Sequence, residues 1–417
     1  MNYKKIEEQN YDLHMIKTNK FRTTTITINF SNHIDDVDIN QERILLQLLN
    51  RSSKKYNSFR KLVEKRTELY IKGISTFHKR LANLIFTSIE LEFYDEEFVK
   101  EDNLVECLDL IKELILNPNQ KNGLFIQEEF DYIKTVTIEE NNNYYAEPEN
   151  KAFLSFQKLI GKDNPIGIDL RGDNDLLEKI TNEEVSNYYH KFIKESDVDI
   201  IFLSSNVSKK TENIIREVFK DNPFKKKKLS FSQLSHQIKE YQEYADSGDN
   251  IQNISIFGSV NNELNTEERI ATSLYYGILA GGSSSRLFNI LREKHSLVYT
   301  VRLTRNSFDN MTSVLFLYDA KNKEKLFKIV KEVCESMSDI SEEELSIAKE
   351  SWISKIKSFK DNPSYLILSA IYSKQLNDLS FDEQIQIVKK IKLEEVKAIH
   401  SKVIRALTYT LGAKNEN

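Results

Sequence analysis

A chain of 417 residues with 40% hydrophobic and 29% charged side chains is too long for one compact core, which predicts two large domains or several small ones and excludes disorder as the default state. Its 59 basic and 64 acidic residues leave a formal charge of -5, so nothing in the charge balance recommends a nucleic acid or an anionic membrane as partner. The two cysteines, Cys107 and Cys334, each fall in an amphipathic helical pattern rather than a spaced cluster, as buried thiols of a reducing compartment do. Met1 to Lys20 is mostly polar, without the apolar core of a signal peptide, and no apolar run is long enough to span a bilayer. A cytoplasmic protein without membrane insertion is therefore expected.

In chain order, Thr24 to Phe30 alternates threonine with apolar residues and predicts a strand, and Asn40 to Asn50 and Ser58 to Tyr70 read as helices. Alternation returns from Ile74 to Glu92. Leu104, Leu108, Ile111 and Ile115 then recur at helical spacing before the stop at Asn117-Pro118. Helices follow at Phe125 to Glu139, Asn150 to Ile160 and Glu183 to Ile193, the last leading into the apolar strand Ile200 to Leu203. From Asp221 to Gly248 the texture changes to Asn-Pro, the run Lys225 to Lys228 and polar residues, which reads as a linker with solvated lysines rather than a docking patch. Beyond it come a strand at Ile251 to Val260, a helix at Glu267 to Leu279, Gly281-Gly282 and a helix at Ser285 to Lys294. Strands at Val298 to Thr304 and Ser313 to Tyr318 precede an amphipathic helix marked by Leu326, Val330, Val333 and Met337.

One internal echo bears on architecture: Ile180-Thr-Asn-Glu-Glu-Val185 is matched 211 residues later by Ile391-Lys-Leu-Glu-Glu-Val396, and each opens a helix that runs into a strand, near Ile200 and near Thr408. A tandem pair of α+β domains is the natural reading. The expected organisation is a first domain over 1–220, a linker over 221–248 and a second domain over 249–417.

The densest motif is Gly281-Gly282-Ser283-Ser-Ser-Arg286-Leu-Phe288, followed by Arg292-Glu-Lys294-His-Ser-Leu297-Val-Tyr299. It resembles the second-domain signature of the pitrilysin/insulinase family of zinc peptidases, where a Gly-Gly turn precedes Arg-Glu-Lys-x-x-Leu-x-Tyr. The resemblance implies that Arg292 and Tyr299 descend from donors to the peptide carbonyl, since a guanidinium and a phenol can stabilise the oxyanion formed when water attacks. It also implies substrate contacts at Gly281, Gly282, Ser283 and Arg286.

The first half departs from the family. Its zinc motif, H-x-x-E-H on a helix with a glutamate farther on, corresponds here to Arg43, Leu46 and Gln47 in a helix that ends at Ser53-Lys-Lys-Tyr56. Arginine offers no lone pair, leucine no base, and glutamine is a poor zinc ligand. Glu139 or Glu140 stands near the place of the third ligand, and no two of the seven histidines, His14, His33, His78, His190, His236, His295 and His400, are close enough to share a helical face. No metal is expected on this chain.

In length and in both motif regions the chain is similar to bacterial family members without the zinc motif, the YfmF-like subgroup. The resemblance covers essentially the whole chain. It implies an α+β fold of two tandem homologous α/β-roll domains, each an antiparallel sheet with helices packed on one side, in the clamshell arrangement of the family. It further implies a non-catalytic subunit that pairs with a zinc-bearing homologous subunit as a heterodimer and encloses a peptide substrate. Two alternatives stand beside this: a peptide-binding scaffold in peptide-antibiotic maturation or elongation factor P modification, and an independent metallopeptidase with an unorthodox site.

Overall fold

The computed structural model of the chain describes residues 2–413. Strands β1 (Asn2–Glu7), β2 (Asp12–Lys17) and β3 (Thr23–His33) precede helices α1 (Ile39–Leu49) and α2 (Phe59–Glu68), a hairpin of β4 (Ile71–Leu81) and β5 (Leu84–Tyr94), and α3 (Leu104–Leu116). Two helices, α4 (Gln127–Ala146) and α5 (Pro148–Ile160), lead to α6 (Asn182–Glu195), β6 (Asp197–Ser204) and α7 (Lys209–Val218). The second half repeats the plan with β7 (Gln242–Ser247), β8 (Asn253–Asn261), α8 (Thr266–Ala280), the hairpin of β9 (Thr300–Asn306) and β10 (Met311–Tyr318), and α9 (Lys323–Glu335). It closes with α10 (Glu342–Phe359), α11 (Pro363–Gln375), α12 (Phe381–Lys390), α13 (Leu393–Ile399) and β11 (Val403–Gly412).

The expected duplication is visible in the sheets. The first runs β1-β2-β6-β3-β5-β4, and the second, read from its other end, runs β7-β11-β8-β10-β9. Apart from β1 the two orders are the same, and each contains one parallel pair, β2 with β6 and β7 with β11, among antiparallel neighbours. The echoed segments occupy equivalent places. In the first, Thr181 and Glu184 cap α6 reciprocally. In the second, the Glu395 carboxylate accepts the Lys392 amide at 2.8 Å at the start of α13.

Contacts divide the chain into two compact units, and the division is not a single cut. One unit comprises Met1–Asn142, Leu170–Phe231 and Lys360–Asp378; the other comprises Asn143–Asp169, Ser232–Phe359 and Leu379–Asn417. Each unit thus takes one helix from the other half of the sequence, α11 in the first and α5 in the second. Both helices begin with a proline at the first turn, where its missing N–H costs no hydrogen bond. Within the second unit α5 lies so close to the sheet that a Cβ on Gly258 would stand 2.6 Å from the Phe156 ring. Only glycine fits there.

In the first unit, α11 brings Lys374 to three buried aspartates. Its ammonium lies 2.7 Å from Asp197 and Asp199 and 3.2 Å from Asp12. His14 bonds Asp199 at 3.0 Å, and Lys226 reaches Asp12 at 2.6 Å. Burial would raise the Asp199 carboxyl, yet His14 and Lys374 hold it down to about 2; burial and the neighbouring Asp199 push Asp197 up instead.

Three of these strands went unforeseen in the sequence. β1 and β2 lie in the polar opening stretch, and β7 lies inside 221–248, the segment expected as a linker. All six residues of β7 are exposed, so no hydrophobic alternation marks it. The lysine run is likewise partly engaged, through the Lys226 contact with Asp12 and a bridge from Lys225 to Asp197.

Candidate functional site

Helix α1 starts where the Asp38 carboxylate accepts the amides of Asn40 and Gln41, both at 3.0 Å. Ile44, Leu45, Leu48 and Leu49 then bury one face in the core of the first unit. Leu46 joins them at 3% exposure and is part of the core. Arg43 and Gln47 project from the helix toward α4. Arg43 Nη2 meets Glu140 Oε2 at 3.1 Å, and Gln47 Nε2 donates to Thr137 Oγ1 at 2.9 Å. Of the two acidic residues considered for a third ligand, Glu140 is the one that faces α1; Glu139 is exposed.

These residues do not fit zinc. The Arg43 guanidinium has no lone pair to give and takes the Glu140 carboxylate for itself, and Leu46 offers no base to activate water. Among the described residues no group of three or more His, Cys, Asp or Glu is arranged to hold a metal ion.

Beside this position is a polar cluster that the sequence reading missed. Glu42 is fully buried, and its carboxylate accepts hydrogen bonds from Thr87 and Tyr188 and lies 3.3 Å from His78 Nε2. Burial would raise this carboxyl, but the imidazole and the two hydroxyls outweigh it and hold the group below the ordinary glutamate value. A signal was present: Glu42 sits three residues from both Ile39 and Leu45, on the apolar stripe of the helix.

The second motif begins where α8 ends. A Cβ on Gly281 would stand 2.5 Å from the Gly277 carbonyl, and Gly282 has φ +123, so the turn requires both glycines for backbone reasons. Ser283 is exposed, while the Ser285 hydroxyl donates to the Gly282 carbonyl at 2.7 Å. Arg286, expected to contact substrate, is engaged within the unit instead. Its guanidinium forks onto Glu344 at 2.5 and 2.7 Å and spends its other donors on Ser336 and the Asp339 carbonyl. All five N–H groups are used, which leaves none for a peptide. The pairing with Arg286 holds the Glu344 carboxyl down to about 2.

The helix containing Arg292 is not regular. Asn289–Lys294 is wound as a π-helix, with the His295 amide bonding the Ile290 carbonyl at 3.2 Å, a widening that is frequent at functional positions. Arg292 lies exposed over the Phe288 ring, 5.1 Å from its centroid. Tyr299 is 52% exposed, and its hydroxyl donates to both Asp319 carboxylate oxygens at 3.2 and 3.3 Å, which raises the phenol above its ordinary pKa. Both side chains remain at the surface of the second unit, so neither is a core aromatic or a buried ion pair.

Comparison with known proteins agrees with this anatomy. Residues 179–351, which include the Gly-Gly and Arg/Tyr motifs, match the family model described as the Peptidase M16 inactive domain. Over 345 residues, 81% of this chain and 80% of the relative, the sequence is 23% identical to a "Probable inactive metalloprotease YmfF" of Bacillus subtilis (strain 168). The subgroup expected as YfmF-like is that of this YmfF relative. Among solved structures, a conserved protein from Enterococcus faecalis V583 superimposes with a TM-score of 0.90 at 21% identity, covering 100% of both chains. The peptidase M16 inactive domain from Pseudomonas fluorescens does so with a TM-score of 0.80 at 16% identity, covering 100% of this chain and 98% of that one.

Proposed function

Since the chain is a YmfF-like homologue of the pitrilysin/insulinase (M16) zinc peptidases without their H-x-x-E-H motif, we propose that it is the non-catalytic subunit of a two-component peptidase. In this reading it pairs with a zinc-bearing homologous subunit, helps to enclose a peptide and leaves water activation to the partner. The observation that carries the proposal is the Arg43–Glu140 pair beside a buried Leu46, a metal position rebuilt as ordinary packing and an ion pair.

Two features support a retained role in handling peptides. Strand β4 is an edge of the first sheet, and it lies along α1 through His78 to Glu42 and through Asn50 to the Ile74 carbonyl at 3.3 Å. Such an edge can accept an extended peptide by main-chain hydrogen bonds, with little demand on side chains. Arg292 is exposed and, among the described residues, has no ion-pair partner, so it is free to meet an oxyanion generated on a partner's zinc. The grip of Asp319 on Tyr299 favours a second reading, a scaffold that binds peptide without assisting its cleavage.

The deciding experiment measures cleavage of an extended peptide library by this chain, by an H-x-x-E-H homologue from the same genome, and by the two mixed. Activity that rises only on mixing and falls in Arg292→Ala supports a shared chamber. No change on mixing would leave the scaffold, and cleavage with stoichiometric zinc by this chain alone would overturn both. A companion variant, Arg43→His with Gln47→His, is expected to take up zinc together with Glu140, read by metal analysis after dialysis, if this is the former metal position.

A further inference from the structure

The second unit contains a cavity of about 900 Å³, lined by β8, β10 and β11 on one side and by α8 and α9 on the other, that the proposed function does not use. That volume is in the range of small-molecule sites. One end is aromatic: the Phe257 ring centroid lies 5.4 Å from that of Phe316 and 4.9 Å from that of Phe327. The other end is polar. There the Tyr241 hydroxyl oxygen and Thr408 Oγ1 lie 2.7 Å apart, and Tyr275 meets His400 Nδ1 at 3.0 Å.

Registered comparison with the first unit shows that this cavity is built into the strands. Strand pairing makes Ile28 and Ile200 in the first sheet equivalent to Phe257 and Thr408 in the second, and Ile26 and Phe202 equivalent to Ser255 and Thr410. Leu13, beside Ile200, corresponds to Glu243, beside Thr408. The first unit fills this face with aliphatic and aromatic side chains that are 0–1% exposed. The second replaces four of the five by hydroxyls and a carboxylate; of these Glu243 and Thr408 line the cavity, while Ser255 and Thr410 are buried beside it and bond each other at 2.7 Å. A merely loose core would keep apolar walls throughout; this one is apolar at one end and polar at the other.

The charge on the wall selects the ligand. Arg405 is exposed, lines the cavity and has no ion-pair partner among the described residues. Lys328 and Lys331, exposed on α9, also line it without ion pairs. Against these three cations stand two lining carboxylates, Glu335 and Glu243, and the latter already accepts the Tyr241 hydroxyl at 3.1 Å.

We propose that this cleft binds a medium-chain acyl carboxylate, its chain on Phe257, Phe316 and Phe327 and its head group on Arg405. A guanidinium suits a carboxylate because its paired N–H groups match the two oxygens. The neutral alcohol of the same length offers the chain without the charge.

Calorimetric titration of the full chain with decanoate, and separately with decanol, tests the site. Decanoate is expected to bind at one site per chain and decanol at least about tenfold more weakly, the difference made by one charge-assisted contact. Arg405→Gln, a change at an exposed position, is expected to weaken decanoate at least about tenfold with an unaltered thermal melt. Cys334→Phe, which fills the cavity from α9, is expected to abolish binding and serves if the first variant fails to fold. Absence of decanoate binding, equal affinity for decanol, or indifference to both variants would overturn the proposal.

Discussion

At the same point of register, the first sheet sets Leu13 beside Ile200 and the second sets Glu243 beside Thr408. The strand order, the parallel pair and the hairpin are shared, yet one face is sealed and the other opens into a cavity. The difference teaches that the fold is specified by hydrogen-bonded pairing and by the helices that follow, while the side chains on one half of one face are free to diverge. Helix α1 makes the same point: its Asp38 cap and its apolar stripe hold the helix in place, whatever stands at Arg43 and Gln47.

The sharpest way to break the contrast acts on the far face of the sealed sheet. Lys374→Met leaves Asp197 and Asp199 buried without their cation and is expected to cost about 3–5 kcal/mol in urea unfolding. The pH sign follows from Asp199: its folded pKa is depressed to about 2, so the stability it contributes is present above the ordinary carboxylate range and is lost as pH falls toward 2. The deficit of the variant should therefore shrink on acidification. A deficit that grew instead would reverse the assignment.

Next in size, Phe202→Thr imports the open unit's residue into the sealed one and should cost about 3–5 kcal/mol, whereas Thr410→Val, which removes only a hydroxyl bonded to Ser255, should cost about 1 kcal/mol. Equal losses would mean that the two faces are packed alike. Within the second unit, Arg286→Met is expected to cost about 1–3 kcal/mol at neutral pH. Because Glu344 is likewise depressed to about 2, that loss should fade as pH drops below the ordinary glutamate range, read as converging thermal melts. The smallest effect is predicted for Tyr299→Phe: an unaltered thermal melt, since the ring is half exposed and bonds only a surface carboxylate.

Much of this was legible in the sequence. The periodicities behind α1, α3, α8 and α9 and the alternation of β3 come from local apolar spacing, and the echo at Ile180 and Ile391 foretold the repeated sheet. Gly281 and Gly282 were readable because each is a local chemical fact. What failed was nonlocal. β2 owes its place to Asp12 meeting Lys226 and His14 meeting Asp199, each about two hundred positions away, and β7 carries no apolar face at all. Arg286 was singled out correctly as part of a motif, but its partner Glu344 lies 58 residues on and nothing in the spacing connects them. Neither proline-started helix shows in its own residues which sheet it will cover.

The exchange of α5 and α11 has a consequence for synthesis. Lys374 lies 175 residues beyond Asp199, so a nascent chain displays the first sheet's aspartates long before their counter-ion leaves the ribosome. The amino-terminal unit cannot mature first and wait, as a simple tandem array would allow. Its completion is tied to translation of nearly the whole message, and a transcript truncated after the first half would yield a sheet without Lys374, with His14 left to bond Asp199 alone.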